Sequence, residues 1–399
     1  MSEIHLWVEG IIEVDGAVVR GATLEGPGEE RLRLWYRLPA EHRPLLTESG
    51  DPFVVAALFQ AMQRARTMVV HGEVSPSLLR NLEEFQAAWS SWRPQRYRRV
   101  EIVADVEREQ GGKHNDGSAV VAFSGGVDSA FTAFRHRTGR VGRHGYPLQA
   151  GLMVHGFDIP LEEEEVFRRA AEKSARMLES LGMTLIPMAT NFREMAGNWD
   201  DLHGAAIASC LMLLQGGYRF GLIASTEPYS HLVLPWGSNP VTDGLLSSEG
   251  FRIVHDGAGF TRGEKIRVIA DWPEALRYLR VCWEGAEKDR NCGRCEKCIR
   301  TILNFRVAGL GLPDCFERDV TDEQILSLPG LKVGSVSFLE MERILRQAKA
   351  AGLSDSWVNA LEQRLQRSRQ AAKRRRGLWR RLKRTRGIRR VRRLLRRTV

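Results

Sequence analysis

Residues 119–129 combine residue types that are suited to binding a phosphate group. The run reads Ala-Val-Val-Ala-Phe-Ser-Gly-Gly-Val-Asp-Ser, so an apolar, strand-like segment leads into a Gly-Gly pair and then into a helix-compatible segment. Glycine permits positive φ angles and a close backbone approach, and the first N–H groups of a helix have no intrahelical partner and attract anions. We call residues 124–129 the cradle. Its predicted phosphate-binding residues are Ser124, Gly125, Gly126, Val127, Asp128 and Ser129.

Asp128 and Ser129 are the cradle residues predicted to take part in catalysis. The carboxylate of Asp128 repels a phosphate unless Mg²⁺ or a helix-capping hydrogen bond compensates its charge, which predicts Mg²⁺ beside it. An ordinary strand-to-helix connection is the alternative interpretation of this turn. The cradle is not a Walker A loop, because no Gly-Lys-Ser/Thr follows the glycines.

Strand and helix patterns alternate after the cradle and predict an α/β fold with a doubly wound parallel sheet. Ligands of such sheets bind at the carboxyl ends of the strands. Asp158 follows the second predicted strand and Ser225 the fourth, and both are predicted to bind a nucleotide. Polar loops or helix caps are the alternative for these two residues and for the other residues at the strand ends, which are His155, Gly156, Thr190, Asn191, Thr226 and Glu227.

Between Ser230 and Ile266 the periodicity fails, and the segment is long and polar. Such a loop inside a compact domain is more often functional than idle. We predict that it binds an acceptor substrate, with Lys265 and Arg262 holding pyrophosphate or carboxylate oxygens and Lys265 acting in catalysis. A solvated surface segment is the alternative.

Four of the six cysteines are clustered in the sequence, at Cys282, Cys292, Cys295 and Cys298. Four thiolates suit a closed tetrahedral Zn²⁺ site, and the two-residue spacers let neighbouring sulfurs converge on one ion. Because such a site keeps no open position, the predicted zinc is structural and braces an insertion in the fold. An iron–sulfur cluster and a group of reduced thiols are the alternatives.

The Ser-Gly-Gly-x-Asp-Ser cradle followed by Cys-x₉-Cys-Gly-x-Cys-x₂-Cys resembles the PP-loop ATP pyrophosphatases, in particular the 7-cyano-7-deazaguanine synthase (QueC-like) branch. The resemblance covers about Ala119 to Leu312. It implies an adenine nucleotide α-hydrolase-like fold, ATP with Mg²⁺ on the cradle, and the four cysteines as zinc ligands. It also implies a ligase that forms AMP and pyrophosphate while it adenylates a carboxylate, on a small molecule or on a protein, for attack by a nitrogen nucleophile.

Departures from that branch are the spacing from Cys282 to Cys292, the segment from Ser230 to Lys265, the N-terminal region and the C-terminal tail. We therefore expect a QueC-like relative that acts on another acceptor. A tRNA-thiolating PP-loop enzyme and a non-catalytic nucleotide-binding scaffold are the alternative functions.

The remaining segments give the predicted domain order. Residues 1–110 are expected to form a small α/β or α+β domain, residues 109–118 a linker, residues 119–312 the PP-loop domain with its zinc site, residues 313–372 a helical region, and residues 373–399 a basic tail.

Charge separates the tail from the body of the chain. The net charge is +10, but residues 373–399 contain 15 of the 59 Lys and Arg residues and no acid, so the remainder has 44 basic and 49 acidic residues. An amphipathic helix in the tail would suit an anionic membrane surface or nucleic-acid phosphates, and a disordered solubilising tail is the alternative. Since no apolar run approaches the length of a membrane span and no signal peptide is recognisable, we expect a cytoplasmic protein, peripheral at most at the membrane.

Overall fold

The computed structural model describes residues 3–26, 31–110, 117–195, 197–329 and 331–384, with the backbone alone for residues 377–384. The chain divides into two units, residues 1–291 and 292–399. The predicted linker at 109–118 lies mostly outside the described residues, and so does the tail beyond residue 384.

The first unit is an α/β structure built on one ten-stranded sheet, in which most neighbouring strands are parallel. The strands are β1 Glu3–Val14, β2 Ala17–Glu25, β3 Arg31–Pro39, β4 Thr67–Val74, β5 Glu101–Glu107, β6 Ala119–Ala122, β7 Leu148–His155, β8 Thr184–Thr190, β9 Phe220–Ala224 and β10 Arg252–Asp256. Their order across the sheet is β10-β9-β6-β7-β8-β3-β2-β1-β4-β5. The helices of this unit are α1 Asp51–Arg64, α2 Pro76–Trp92, α3 Val127–Arg137, α4 Glu164–Glu179, α5 Trp199–Met212, α6 Arg262–Ile269 and α7 Pro273–Tyr278.

Strands β6 to β10 form an all-parallel half of the sheet. Strand β6 lies at its centre and reads Ala-Val-Val-Ala, with its first three side chains buried. A strand that is covered on both faces carries such a continuous apolar run. The strands and helices predicted between the cradle and residue 224 are confirmed, with ends that differ by a few residues.

Residues 1–110 continue the same sheet, because β3 pairs with β8 through Tyr36 and Arg37. The apolar core is also continuous, and it includes Phe53 and Phe59 of α1 together with Leu211 and Met212 of α5. Helix α1 is buried along most of its length, as expected for a helix that is apolar on most of its surface. The domain boundaries at 110, 312 and 372 stay predictions.

The segment from Ser230 to Ile266 differs from the predicted loop. It contains the short strand β10 and the start of helix α6, with a 3-10 turn at Asp243–Leu246 before the strand. Strand β10 has only five residues, too few for a clear alternating pattern. It forms because β9 offers a parallel edge for pairing.

The second unit is helical in its described residues. Its helices are α8 Glu296–Val307, α9 Asp322–Leu326, α10 Val336–Ala350 and α11 Ser356–Arg384. Within this unit α11 packs against α9 and α10, and α10 packs against α8. Among the helices of the described residues, none has the length and hydropathy to cross a membrane.

Asp256, the last residue of β10, connects this strand to α3. Its carboxylate accepts hydrogen bonds from Thr132 Oγ1 at 2.7 Å, from His136 Nε2 at 3.2 Å and from the guanidinium of Arg135. Burial alone would raise the pKa of Asp256, but the hydrogen bond from His136 and the charge of Arg135 lower that pKa to about 2. The ionised carboxylate thus stabilises the contact between β10 and α3.

The lowered pKa of Asp256 predicts a pH-dependent loss of stability. Because the folded pKa lies below the ordinary value of 3.8, the ionised group contributes about 2 kcal/mol above pH 4, and this contribution is lost as the pH falls toward 2. Urea unfolding from pH 7 to pH 3 should therefore show a smaller pH dependence in Asp256→Asn than in the wild type. Asp271→Asn is the control, since Asp271 pairs with Arg140 but is 61% exposed; equal pH dependence in all three proteins would contradict the assignment.

Candidate functional site

The cradle lies where the sequence placed it, between β6 and α3. Gly125 has φ of +74°, and a Cβ atom there would lie 3.2 Å from Ser174 Oγ. Gly126 is the N-cap residue of α3, and no side chain caps this helix. The N-terminus of α3 therefore has no side-chain cap, and its helix dipole gives the turn a positive potential that favours an anion.

The two cradle hydroxyls hold the turn in shape. Ser129 Oγ donates a hydrogen bond to Gly126 O at 3.1 Å and lies 3.5 Å from Ser124 Oγ. Ser124 Oγ also accepts a long hydrogen bond from the Gly126 N–H at 3.4 Å. Val127, the first residue of α3, is fully buried and anchors the helix in the core. The cradle is therefore a tight turn with its polar atoms drawn together.

Asp128, Lys265 and Arg262 form a cluster of buried charges beside the cradle. Lys265 Nζ lies 2.9 Å from Asp128 Oδ1, and Arg262 NH1 lies 3.0 Å from Asp128 Oδ2. The exposed fractions are 1% for Lys265 and 4% for Arg262. The capping box of Thr261 and Glu264 fixes the start of α6, so both cations project from the first turn of this helix. Two protein cations thus compensate the charge of Asp128.

Ser225 also belongs to this cluster, through its backbone. Lys265 Nζ donates a hydrogen bond to Ser225 O, and Ser225 Oγ donates one to Glu227 O at 2.7 Å. Lys265 therefore joins the residue that follows β9 to the first turn of α3. The structure brings together Asp128, Ser225 and Lys265, which the sequence had selected separately.

Arg280 is a residue of this site that the sequence analysis missed. Its backbone N–H donates to Gly125 O at 2.8 Å, its NH2 lies 3.7 Å from Asp158 Oδ2, and its NH1 donates to Lys288 O at 3.2 Å. The side chain is buried, and its Nε has no hydrogen-bond partner among the described residues. No motif marks Arg280 in the sequence, because it follows the short helix α7 in an irregular segment.

Asn291 holds the Arg280 segment in place. Its Oδ1 accepts hydrogen bonds from the N–H groups of Val281 at 2.8 Å and Cys282 at 3.2 Å, and its Nδ2 donates to Leu279 O at 2.8 Å. One buried amide therefore fixes both the arginine at the cradle and the first cysteine of the cluster.

Other polar residues at the strand ends serve the fold. His155 Nε2 lies 2.7 Å from Pro160 O and its ring stacks on Phe167; burial lowers the pKa of this histidine. Asn191 bonds to the backbone of β3, accepting from Trp35 N and donating to Arg33 O. These contacts support the polar-loop alternative for His155 and Asn191.

The four cysteines converge, which confirms the predicted cluster. Their sulfur atoms all lie within 4.8 Å of one another, and Cys292 Sγ lies 3.9 Å from Cys298 Sγ. Zn–S bonds of about 2.3 Å in a tetrahedron place the sulfurs about 3.8 Å apart, so the arrangement fits zinc. The N–H groups of Cys295 and Cys298 donate to Cys292 Sγ and Cys295 Sγ at 3.4 and 3.5 Å, which stabilises the thiolate form. The cluster is a candidate metal centre.

The cluster predicts the metal content of the purified protein. The wild type should contain about one zinc ion per chain, and Cys292→Ser should lose most of it because three ligands bind zinc far more weakly than four. Cys315→Ser is the matched control, since Cys315 lies outside the cluster. Elemental analysis together with the absorbance spectrum measures both outcomes. Iron with labile sulfide in the wild type, or full zinc in Cys292→Ser, would contradict the zinc assignment.

No protein-family model matches this chain, and neither a curated protein nor a solved structure matches it. The functional features of this chain are therefore those of its own geometry: the cradle, the three buried cations beside it and the cysteine cluster.

Proposed function

We propose that this chain is an ATP-dependent synthase that forms AMP and pyrophosphate while it adenylates an acceptor carboxylate for attack by a nitrogen nucleophile. One observation carries the proposal: Arg262, Lys265 and Arg280 are buried around the Gly-Gly turn at the start of α3. They face two carboxylates, Asp128 and Asp158. The helix N-terminus adds further positive potential, so the site suits a polyanion.

The residues present fit the phosphates of ATP. The Nε atoms of Arg262 and Arg280 are buried without a hydrogen-bond partner among the described residues. A buried unpaired donor costs free energy that a bound oxyanion recovers. We assign Ser124 to Ser129 to the phosphates, with Lys265 and Arg262 stabilising the charge that develops as pyrophosphate leaves.

Asp128 has a more specific role in this proposal than holding Mg²⁺ alone. Its two oxygens bind Lys265 and Arg262, so the carboxylate orients the two cations toward the cradle. Asp128 and the cradle hydroxyls are the oxygen donors that would hold a Mg²⁺ ion accompanying ATP, and the ion would neutralise part of the phosphate charge.

In this reaction the protein mainly positions ATP and the acceptor, and none of its side chains needs to form a covalent bond with them. A carboxylate oxygen of the acceptor attacks the α-phosphorus, the bond to the β-phosphate oxygen breaks, and pyrophosphate leaves. A nitrogen nucleophile next attacks the acyl carbon and AMP leaves. The acceptor, a small molecule or a protein, approaches from the side of the segment that contains Arg262 and Lys265.

The same proposal includes a fold family and a branch of that family for this chain. The order β10-β9-β6-β7-β8 supports a doubly wound, adenine nucleotide α-hydrolase-like sheet in the PP-loop family, in which strand order reverses beside the first strand. The four-cysteine cluster supports the QueC-like branch with a structural zinc.

The basic tail begins within helix α11, whose backbone is described to residue 384. The 15 basic residues of the tail suit an anionic membrane surface or nucleic acid as its partner. We propose a cytoplasmic location for the protein.

Nucleotide affinity tests the cradle. Lys265→Ala should raise the Kd for ATP with Mg²⁺ about tenfold or more, because it removes a buried charge-assisted interaction, as measured by isothermal titration calorimetry. Arg267→Ala is the matched control, since Arg267 lies on the same helix and is exposed, and its Kd should stay within about twofold. Equal Kd values for the two variants would contradict the assignment of Lys265 to the ATP-binding site.

Turnover tests the reaction class. The wild type should form AMP and pyrophosphate, and exchange labelled pyrophosphate into ATP, with at least one member of a panel of carboxylic acids. Asp128→Ala should bind zinc as the wild type does yet lose this exchange, because Lys265 and Arg262 lose their shared partner. ADP as the product, or full exchange by Asp128→Ala, would contradict the proposal.

A further inference from the structure

A small cavity lies next to the segment that follows β9. Its lining includes Ser225, Thr226, Glu227, Trp236, Ser238 and His255. The space inside is about 10 Å³, which is enough for one water molecule. Ser225 links this cavity to the cradle, because its carbonyl accepts the hydrogen bond of Lys265, which also binds Asp128.

His255 and Asp256 point to opposite faces of β10, as successive strand residues do. Asp256 faces α3 and is fully engaged there. His255 faces the other way and its side chain is 7% exposed. Its Nδ1 lies 2.8 Å from Asp243 Oδ2. Strand β10 thus directs Asp256 toward α3 and His255 toward the cavity.

Asp243 is fully buried and rigidly held. Besides His255 it accepts hydrogen bonds from Ser238 Oγ at 2.7 Å and from Asn239 N at 3.0 Å. An ionised carboxylate can only accept, so it fixes the His255 tautomer with the proton on Nδ1. The second ring nitrogen, Nε2, is then the one that carries the lone pair.

His255 Nε2 has no hydrogen-bond partner among the described residues and is buried. A buried polar atom without a partner costs free energy, yet this one is held in place by a dedicated carboxylate. The pairing of an oriented imidazole with an open Nε2 is the arrangement that accepts a proton from a bound N–H or O–H group.

We propose that His255, oriented by Asp243, is a catalytic proton acceptor that contacts the nucleophile in this cavity. The proposal rests on the proposed function and adds the residue that receives the proton. In the second step, the nucleophile's nitrogen bonds to the acyl carbon, the bond from the acyl carbon to the AMP oxygen breaks, and AMP leaves with the electron pair. The proton released by the nitrogen passes to Nε2, and Asp243 stabilises the resulting imidazolium.

With water as the nucleophile, His255 would accept the proton in a simpler reaction, the hydrolysis of ATP to AMP and pyrophosphate. This reaction needs no acceptor carboxylate. The water oxygen bonds to the α-phosphorus, the bond to the β-phosphate oxygen breaks, pyrophosphate leaves with the electron pair, and the water proton passes to Nε2. Asp243 bonds to His255, Glu227 lines the same cavity, and His203 on α5 accepts a hydrogen bond from the N–H of the lining residue Ser238 at 3.1 Å.

The experiment measures AMP formation from ATP with water as the only acceptor, in the full chain. His255→Gln should form AMP about 100-fold more slowly than the wild type, with an unchanged Kd for ATP. His231→Gln is the matched control, a partly exposed histidine outside the cavity lining. A wild-type rate in His255→Gln would overturn the inference and leave the proposed function standing.

A second measurement does not depend on turnover. In the wild type labelled with ¹⁵N-histidine, the signal that disappears in His255→Gln belongs to His255, and at neutral pH it should report a protonated Nδ1 and an unprotonated Nε2. Adding ATP should shift the Nε2 signal. A proton on Nε2, or a signal indifferent to ATP, would overturn the role of His255; absence of AMP formation in a wild type whose Nε2 responds to ATP would instead overturn the proposed function.

Discussion

Two buried cations bound to one carboxylate organise this site. Lys265 and Arg262 are almost fully buried, and charges in that position need compensation by an opposite charge at close range. Asp128 supplies it from the first turn of α3. The pairing fixes α6 against α3 and holds Lys265 at the carbonyl of Ser225. Strand β9, the cradle and α6 are thereby held in one arrangement.

The parallel half of the sheet is what makes this pairing possible. Strands β6, β9 and β10 run in the same direction, so the residues that follow them come to one edge. Ser124, Ser225 and Gly257 come directly or soon after these three strand ends. Successive side chains of β10 point to opposite faces of the sheet. Asp256 therefore stabilises the contact with α3, and His255 faces the cavity.

The segment from Leu279 to Asn291 adds the third cation. Asn291 binds the backbone on both sides of Arg280, and two residues after this arginine comes Cys282 of the sulfur cluster. A metal bound by the four cysteines would therefore limit the motion of the segment that presents Arg280 to the cradle. The cysteine cluster and the arginine beside the cradle are therefore joined by one short stretch of backbone.

The sequence alone determined the local features. The cradle is contiguous, so its glycines and the start of α3 were predictable from residue types, and the apolar patterns predicted the strands and helices from residue 119 to 224. The spacing of Cys292, Cys295 and Cys298 likewise indicated converging sulfurs, because close neighbours in a tight turn have little freedom to separate. Strands β1 and β2 could not be predicted in the same way, because the burial of their side chains depends on the neighbouring strands and on α1.

Only the tertiary structure decided the long-range pairings. Lys265 and Arg262 lie 137 and 134 residues from Asp128 in the chain, and nothing in the local pattern selects that carboxylate over others. Three other long-range features could not be predicted from the sequence either. They are the hydrogen bond from Arg280 to Gly125, the pairing of β3 with β8, and the position of His255 Nε2 at the cavity. The physical reason is that residue types and periodicity set the conformation of each segment, whereas the meeting of strand ends and the burial of charges depend on how the segments pack.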